Sequence, residues 1–189
     1  MSLTKLSTYI ALLRAVNVGG AGKLPMASLR KLLEDLGYRR VETYIQSGNA
    51  VFDAAGPAAK VGADVAAELE ELMHAPVVVV LRTHEELGRI IARNPFAAEA
   101  AADPARVHVG FLAGPAAAGA ETGLERIVTQ YPARRDRYKL VGETLYLHLP
   151  DGAADTKFTG KALDRALGVP ATARNWNTVV KLHAMSARN

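Results

Sequence analysis

The 189-residue sequence contains no cysteine. Disulfide scaffolds, thiolate zinc sites, iron–sulfur clusters and cysteine-nucleophile enzymes are therefore excluded. Aromatic residues make up only 6% of the chain, and no apolar run reaches the roughly 18 residues that a membrane-spanning helix needs. The N-terminus also lacks the charged, apolar and cleavage regions of a signal peptide, so we expect a cytoplasmic protein with no membrane partner.

The composition is that of a folded protein. Hydrophobic residues account for 49% of the chain and charged residues for 22%, which is within the range of globular domains. A chain of this length forms one large domain or two small ones, and it buries enough surface to fold without a metal or a disulfide. The formal net charge is +4, which favours anionic partners without requiring them.

The first half of the chain alternates strand and helix patterns in the order β-α-β-β-α-β, followed by a helix. Pro25 begins the first helix and Gly37 ends it, and Thr83 and Glu86 have the spacing of a capping box at the start of the third. The predicted elements are strands 8–14, 40–45, 50–53 and 77–82 and helices 25–36, 58–73 and 85–93. This order is that of a ferredoxin-like α+β domain, which we assign to residues 1–93.

An Ala- and Pro-rich segment that begins at Asn94-Pro95-Phe96 is interpreted as a linker, at about residues 94–105. The second unit, residues 106–189, is predicted to contain strands 106–113, 138–141 and 144–149 and helices 116–130, 159–167 and 176–187. It resembles the first unit with its last strand replaced by a helix, although no residue-level repeat relates the two halves. The fold class is therefore α+β, with a ferredoxin-like βαββαβ N-terminal unit followed by a smaller βαββαα unit.

Two polar turns of the first unit are expected to meet. In a split β-α-β unit the first two strands run in the same direction and the third returns between them, so residues 14–23 and residues 46–49 lie at the same end of the sheet. Glycines expose backbone N–H groups there, beside a helix N-terminus, and both features favour a bound anion. The candidate ligand-binding residues of these turns are Arg14, Asn17, Gly19, Gly20, Lys23, Gln46, Ser47, Gly48 and Asn49.

The glycines have a structural explanation as well. They suit a strand-to-helix connection, and Ser47-Gly48-Asn49 suits a hairpin turn. The segment GGAGK has the wrong glycine spacing for a phosphate-binding loop, and Leu24 occupies the position of its Ser or Thr. The acidic residue of the dinucleotide-binding fingerprint is missing too. Arg14 and Asn17 are the stronger candidates, because a turn requires neither.

A further polar segment surrounds the only tryptophan of the chain. Its asparagine Asn175 is either the N-cap of a helix, with Trp176 in the core, or part of a stacking and phosphate-binding surface. The nearby residues Lys157, Thr159 and Lys161 either extend that basic surface or form a solvated run of charge. The candidate ligand-binding residues of this segment are Arg174, Asn175, Trp176 and Asn177.

Signals for catalysis are weak. The five histidines have neither HxH nor HExxH spacing, and no serine lies in a nucleophile elbow. We therefore expect no metal and no cofactor, and we assign no catalytic residue. Whether the protein is an enzyme stays open at this point.

Several motifs in series resemble those of the bacterial family called domain of unknown function 1697. They are YIALLRAVNVGG with KLPM after it, TYIQSGNAVF, the NPF turn, LYLHLPDG and KFTGKALDRALGVPATARNWNTV, in that order. The resemblance extends over residues 9–181. It implies a small cytosolic protein of ferredoxin-like α+β architecture, and it implies no established activity, substrate or catalytic residue.

Three hypotheses of function remain. The first is a module that binds a small anionic ligand, phosphorylated or nucleotide-like, at the rim formed by the first β-α loop and the hairpin. The second is a nucleic-acid-binding module, in which Tyr44 and Phe52 would lie on an open sheet face. The third is a homodimeric interaction protein without catalysis, and the chain is accordingly expected to be a monomer or a homodimer.

Overall fold

A computed structural model describes residues 6–17 and 22–188 of the chain. The chain forms two compact units. The first comprises the residues up to Arg89 together with those from Lys181 onward, and the second comprises Ile90–Val180. Each unit contains one four-stranded sheet with helices, so the first unit is completed by residues that follow the second in the sequence.

The first unit has the predicted ferredoxin-like order. Its elements are β1 (Leu6–Leu13), α1 (Met26–Asp35), β2 (Arg39–Tyr44), β3 (Asn49–Ala55), α2 (Ala58–Met73), β4 (Val79–Thr83) and most of α3 (His84–Ala92), which continues into the second unit from Ile90. All strand pairs are antiparallel, in the order β2-β3-β1-β4. The capping box of α3 is present, since Thr83 Oγ1 accepts a hydrogen bond from Glu86 N at 3.2 Å and Glu86 Oε2 accepts one from Thr83 N at 2.7 Å.

The second unit repeats this architecture. Its elements are α4 (Ala97–Ala102), a 3₁₀ turn (Pro104–Arg106), β5 (Val107–Leu112), α5 (Ala120–Gln130), β6 (Arg137–Val141), β7 (Thr144–His148), α6 (Gly160–Leu167), β8 (Ala171–Asn175) and the first part of α7 (Trp176–Ser186), whose residues from Lys181 onward belong to the first unit. The strand order β6-β7-β5-β8 is that of the first sheet, and all pairs are again antiparallel. The α+β fold class is confirmed, with two ferredoxin-like sheets.

The predicted βαββαα order of the second unit omits one strand. The sequence ATARN of β8 is a weak strand signal, because Thr172 is its only β-branched residue, it has no aromatic residue, and alanine and asparagine are depleted in strands. It forms through backbone pairing with β5, where Ala173 lies opposite Gly110 and Arg174 opposite Val109. Strand β8 therefore forms mainly through its pairing with the central strand β5 rather than through the strand propensity of its own residues.

The segment predicted as a linker contains the short helix α4 and the 3₁₀ turn. Alanine has the highest helix propensity of any residue type, and the run of alanines in this segment explains the helix. Helix α5 begins at Ala120 rather than at residue 116, because Gly119 adopts a left-handed backbone with φ of 88°. The alanines therefore form a helix in a segment that was predicted as a loop. The predicted start of α5 was four residues too early.

Alternating strand residues form the core of each unit. In the first, Tyr9, Ala11 and Leu13 of β1 pack with Leu29 of α1 and Val65 of α2. In the second, the core combines strand residues with one face each of α5 and α6: Leu112, Leu145, Leu147, Leu124, Leu163 and Leu167. Burial of these side chains supplies the main stabilisation that fixes each pair of helices on its sheet.

A buried charge cluster connects the C-terminal residues with the first sheet. Asp53 on β3 is 3% exposed, the side chain of Arg188 is 7% exposed, and Arg188 Nη1 lies 3.6 Å from Asp53 Oδ1. Asp53 also accepts hydrogen bonds from Thr8 Oγ1 at 2.8 Å and from Arg40 Nε. Arg188 donates in addition to the Arg40 carbonyl at 2.6 Å and to Glu42 Oε1 at 2.6 Å. The cluster therefore links β1, β2, β3 and the C-terminal residues within one unit.

Candidate functional site

The two polar turns of the first unit lie side by side. Strands β1 and β2 both pair antiparallel with β3, so their C-terminal ends share one edge of the sheet. The backbone of Leu13 donates a hydrogen bond to the Gly48 carbonyl at 2.8 Å. We call this region the loop–hairpin edge, and it consists of residues 14–17, 22–25 and 45–49. Gly19 and Gly20, also predicted here, lie outside the described residues.

Asn17 holds the loop against the hairpin. Its Nδ2 donates to the Leu24 carbonyl and to the Gln46 carbonyl, each at 2.8 Å, and its Oδ1 accepts from Leu24 N at 2.7 Å. The backbone of Asn17 is left-handed, with φ of 56°, a conformation that asparagine tolerates better than most residues. Both side-chain N–H groups are therefore used within the protein, and Asn17 positions the site rather than offering donors to a ligand.

The hairpin turn has a tightly packed inner side. Gly48 has φ of +77°, and a Cβ there would overlap Val16 Cγ2 and lie 2.9 Å from Leu13 Cβ. Asn49 is fully buried, and its Nδ2 donates to the Tyr44 carbonyl and to Ser47 Oγ, each at 3.0 Å. These contacts fix the turn's backbone, and its exposed side presents the Gln46 side chain.

The edge is positively charged. Arg14 is half-buried at the end of β1, and its backbone N–H donates to the Val78 carbonyl at 2.9 Å. Lys23, which follows the loop's glycines in the sequence, is exposed. Residues 14–25 and 45–49 include no aspartate or glutamate. The sequence therefore concentrates cationic and neutral polar groups where the two turns meet.

We predict that Asn17→Ala lowers the free energy of unfolding by about 2 kcal/mol, because three hydrogen bonds are lost and two backbone carbonyls lose a donor. Chemical denaturation of the two proteins measures the difference. Asn177→Ala is the control, since Asn177 is exposed and its replacement should change stability by less than about 0.5 kcal/mol. Equal stability of wild type and Asn17→Ala would contradict the role assigned to this amide.

The candidates at 174–177 belong to the second unit. Arg174 is 7% exposed, and its Nη1 donates to Thr172 Oγ1 and to the Ala173 carbonyl, each at 2.8 Å. Burial lowers the pKa of Arg174 to about 10. Asn175 caps α7, since its Oδ1 accepts from Thr178 N at 3.0 Å. Trp176 is half-buried at the first position of that helix, and Asn177 is exposed.

An arginine that the sequence analysis did not single out occupies the matching position of the first unit. Arg82 on β4 lies opposite Ile10 of β1, as Arg174 on β8 lies opposite Val109 of β5. Its Nη1 donates to the preceding carbonyl, that of Leu81, at 2.8 Å. In both units an arginine is followed directly by the cap of the next helix. The signal in the sequence is the pair Arg-Thr and Arg-Asn, each followed by a helix.

Asp53 is a second residue that the sequence analysis missed. Its sequence signal is an acidic residue within the apolar run AVFDAA. Burial raises the pKa of Asp53, but the hydrogen bonds from Arg40 and Thr8 and the charges of Arg40 and Arg188 outweigh it, so the pKa lies below its ordinary value. Its charge is balanced within the protein, which makes the Asp53 cluster a structural feature.

The aromatic residues proposed for stacking nucleic-acid bases differ in exposure. Phe52 is fully buried in the core and stacks on Tyr38, with ring centroids 5.0 Å apart. Tyr44 is partly exposed on the edge strand β2. Phe52 therefore offers no surface on which a base could stack.

A histidine–serine contact in the first unit lacks the features of an activated nucleophile. His84 Nδ1 lies 2.9 Å from Ser186 Oγ, and the His84 and His183 rings stack at 4.1 Å. Ser186 is 2% exposed, and its hydroxyl donates to the His183 carbonyl at 2.8 Å. A hydroxyl proton committed to a carbonyl is not available to a histidine base, so the contact is structural.

The described part of the chain contains neither a metal-binding group of side chains nor a membrane-spanning helix. No group of three or more histidine and carboxylate side chains is arranged to hold a metal ion among residues 6–17 and 22–188. None of the helices within these residues has the length and apolar character needed to cross a membrane.

Comparison with known proteins gives a family and a fold. A family model described as "protein of unknown function (DUF1697)" matches residues 6–146. The chain is similar to a solved structure of the conserved bacterial protein SP0830 from Streptococcus pneumoniae, with a TM-score of 0.65 and 22% identity, over 96% of this chain and 99% of that one. No curated protein matches the sequence. The match covers most of the chain, and the chain therefore belongs to the DUF1697 family of proteins of unknown function.

Proposed function

We propose that this protein binds a small anionic ligand, phosphorylated or nucleotide-like, at the loop–hairpin edge. The observation that carries the proposal is the hydrogen bonding of Asn17, which ties the basic loop to Gln46. A preorganised loop binds a ligand with less loss of conformational entropy than a mobile one. Asn17 thus fixes the conformation of the loop–hairpin edge, and neighbouring side chains and backbone N–H groups contact the ligand.

Electrostatics favour an anion at this position. Arg14 and Lys23 flank the loop, and residues 14–25 and 45–49 contain no aspartate or glutamate. Helix α1 begins directly after the loop, without a side-chain cap and without an acidic residue in its first turn. The positive end of the helix dipole and uncapped N–H groups favour negative charge there. Gln46 adds an exposed amide that can donate to a phosphate or sugar oxygen.

The experiment is a titration with inorganic phosphate, a nucleoside monophosphate and a sugar phosphate. A ligand at 100 times its Kd stabilises the fold by about 2.7 kcal/mol, which raises the thermal midpoint measurably. Amide resonances of Lys23, Gln46 and Gly48 should shift in ¹⁵N–¹H spectra. The Lys23→Gln variant is expected to weaken binding, whereas Lys31→Gln, on the exposed face of α1, should leave it unchanged.

Two results would contradict the proposal. One is a thermal midpoint that none of the three compounds raises. The other is binding that Lys23→Gln leaves intact while resonances elsewhere in the protein shift.

A further inference from the structure

A groove of about 500 Å³ runs between α5 and α6 in the second unit. Residues of one face of each helix form its walls, spaced three and four positions apart, and the connection before α6 completes it. The residues lining this α5–α6 groove include Gly123, Arg126, Tyr131, Lys157, Thr159 and Arg165. Its volume is in the range of sites for small organic ligands.

The groove is strongly cationic. Arg126, Lys157 and Arg165 line it, and no aspartate or glutamate does. The ion pairs found among the described residues include none of these three side chains. Glu125, although adjacent to Arg126, accepts a hydrogen bond from Tyr138 Oη at 3.1 Å on another face of α5. The three cations are therefore not neutralised within the groove.

The matching groove of the first unit has the opposite charge. It lies between α1 and α2, has a volume of about 450 Å³, and is lined by Asp35, Glu68, Glu71 and a single cation, Lys31. Lys31 is paired with Asp35 at 2.7 Å. Because both units have the same fold, the architecture alone does not require a basic groove. The charge of the α5–α6 groove is a property of this sequence at this position.

Packing at the groove gives it a fixed shape. A Cβ on Gly123 would lie 2.8 Å from Ala166 Cα, so the two helices are in close backbone contact there. Lys157 Nζ lies 5.2 Å from the centroid of the Tyr131 ring, an arrangement that holds the ammonium group near the groove wall. Thr159 caps α6 by accepting from Ala162 N at 3.3 Å, and the positive end of that helix adds to the field.

We infer that the α5–α6 groove is a second binding site, distinct from the loop–hairpin edge, for a small organic polyphosphate. Three cations in one groove match a ligand that carries several negative charges close together. The size of the groove favours a small molecule over a nucleic acid, because α6 has eight residues and is about 12 Å long. The moderate net charge of +4 agrees with that choice.

The test uses inorganic tripolyphosphate as the probe, measured by calorimetry and by ¹⁵N–¹H spectra at low ionic strength. Wild type is expected to bind it, with shifts centred on α5 and α6. The triple variant Arg126→Gln/Lys157→Gln/Arg165→Gln should raise the Kd about tenfold, the combined effect of three exposed charge contacts. All three side chains are exposed, so the variant should remain folded, which circular dichroism verifies.

A matched control separates the groove from net charge. The variant Lys31→Gln/Lys60→Gln/Lys139→Gln removes three exposed lysines elsewhere and changes the net charge equally. It should bind tripolyphosphate as wild type does. Equal weakening in both triple variants would overturn the inference, because binding would then follow net charge alone.

Two further outcomes would overturn it. If Lys23→Gln abolishes tripolyphosphate binding and the groove variant does not, the loop–hairpin edge alone is the anion site. If single-stranded RNA, and not tripolyphosphate, binds in a way that depends on Arg126 and Arg165, the groove serves a macromolecule. Loss confined to the groove variant supports the second site, whatever the outcome at the edge.

Discussion

An Asp53→Ala variant is expected to lose about 3 kcal/mol of its free energy of unfolding, because Arg188 would keep a buried charge with one counter-ion fewer. Arg188 retains Glu42 and the Arg40 carbonyl, which places the loss at the lower end for broken buried ion pairs. Urea denaturation measures the difference. Asp35→Ala is the control, since its pair with Lys31 is well exposed and should be worth less than about 1 kcal/mol.

The same cluster predicts a dependence on pH. The pKa of Asp53 is lowered from 3.8 in the folded protein, so the charged carboxylate stabilises the fold above that pH. The contribution is lost as the pH falls below 3.8 and through the folded pKa. Asp53→Asn removes this titration, so the stability gap between wild type and Asp53→Asn should narrow in acid. A gap that is constant from neutral pH into this range would contradict the assignment.

A Gly48→Ala variant is expected to lose about 2–4 kcal/mol, which combines left-handed backbone strain with overpacking. The added Cβ would overlap Val16 and press on Leu13. Since the Gly48 carbonyl accepts the Leu13 N–H, any shift of the hairpin also disturbs the loop–hairpin edge. Thermal or urea unfolding gives the loss, and the shifts of neighbouring amide resonances show how far it spreads.

Gly37→Ala is a closely matched control for this substitution. Gly37 has φ of +80°, but a Cβ there would meet no atom within 4 Å. Its replacement should cost only the backbone strain, about 1–2 kcal/mol. The difference between the two variants measures the overlap with Val16 and Leu13. Equal losses would mean that the hairpin relaxes around the new methyl group.

The elements with strong local signals were predictable from the sequence. Helix α2 has its predicted bounds at Ala58 and Met73, and the Thr83–Glu86 capping box was evident from spacing alone. The meeting of the two polar turns followed from strand order, because a split β-α-β unit allows no other arrangement of those ends. Periodicity, caps and topology therefore account for most of the first unit.

The remainder depends on contacts between residues distant in sequence. Strand β8 exists because β5 offers it an unpaired edge, which the residues of ATARN do not reveal. The pairing of Asp53 with Arg188 joins positions 135 residues apart, and no local pattern indicates it. Asn17 stood out in the sequence because a turn does not require it. Only its hydrogen bonds to the Leu24 and Gln46 carbonyls show that it positions the loop rather than contacting a ligand.

The interrupted course of the first unit has a consequence for its biogenesis. Arg188 leaves the ribosome only after all of residues 90–180, so the nascent first sheet carries the Asp53 carboxylate with Arg40 as its sole cationic neighbour from the cluster. The first sheet therefore gains its contact with Arg188 only after the whole of the second unit has been synthesised. A fragment of the protein that ends at Arg89 lacks Arg188, so the buried Asp53 carboxylate keeps only Arg40 of its two arginine partners.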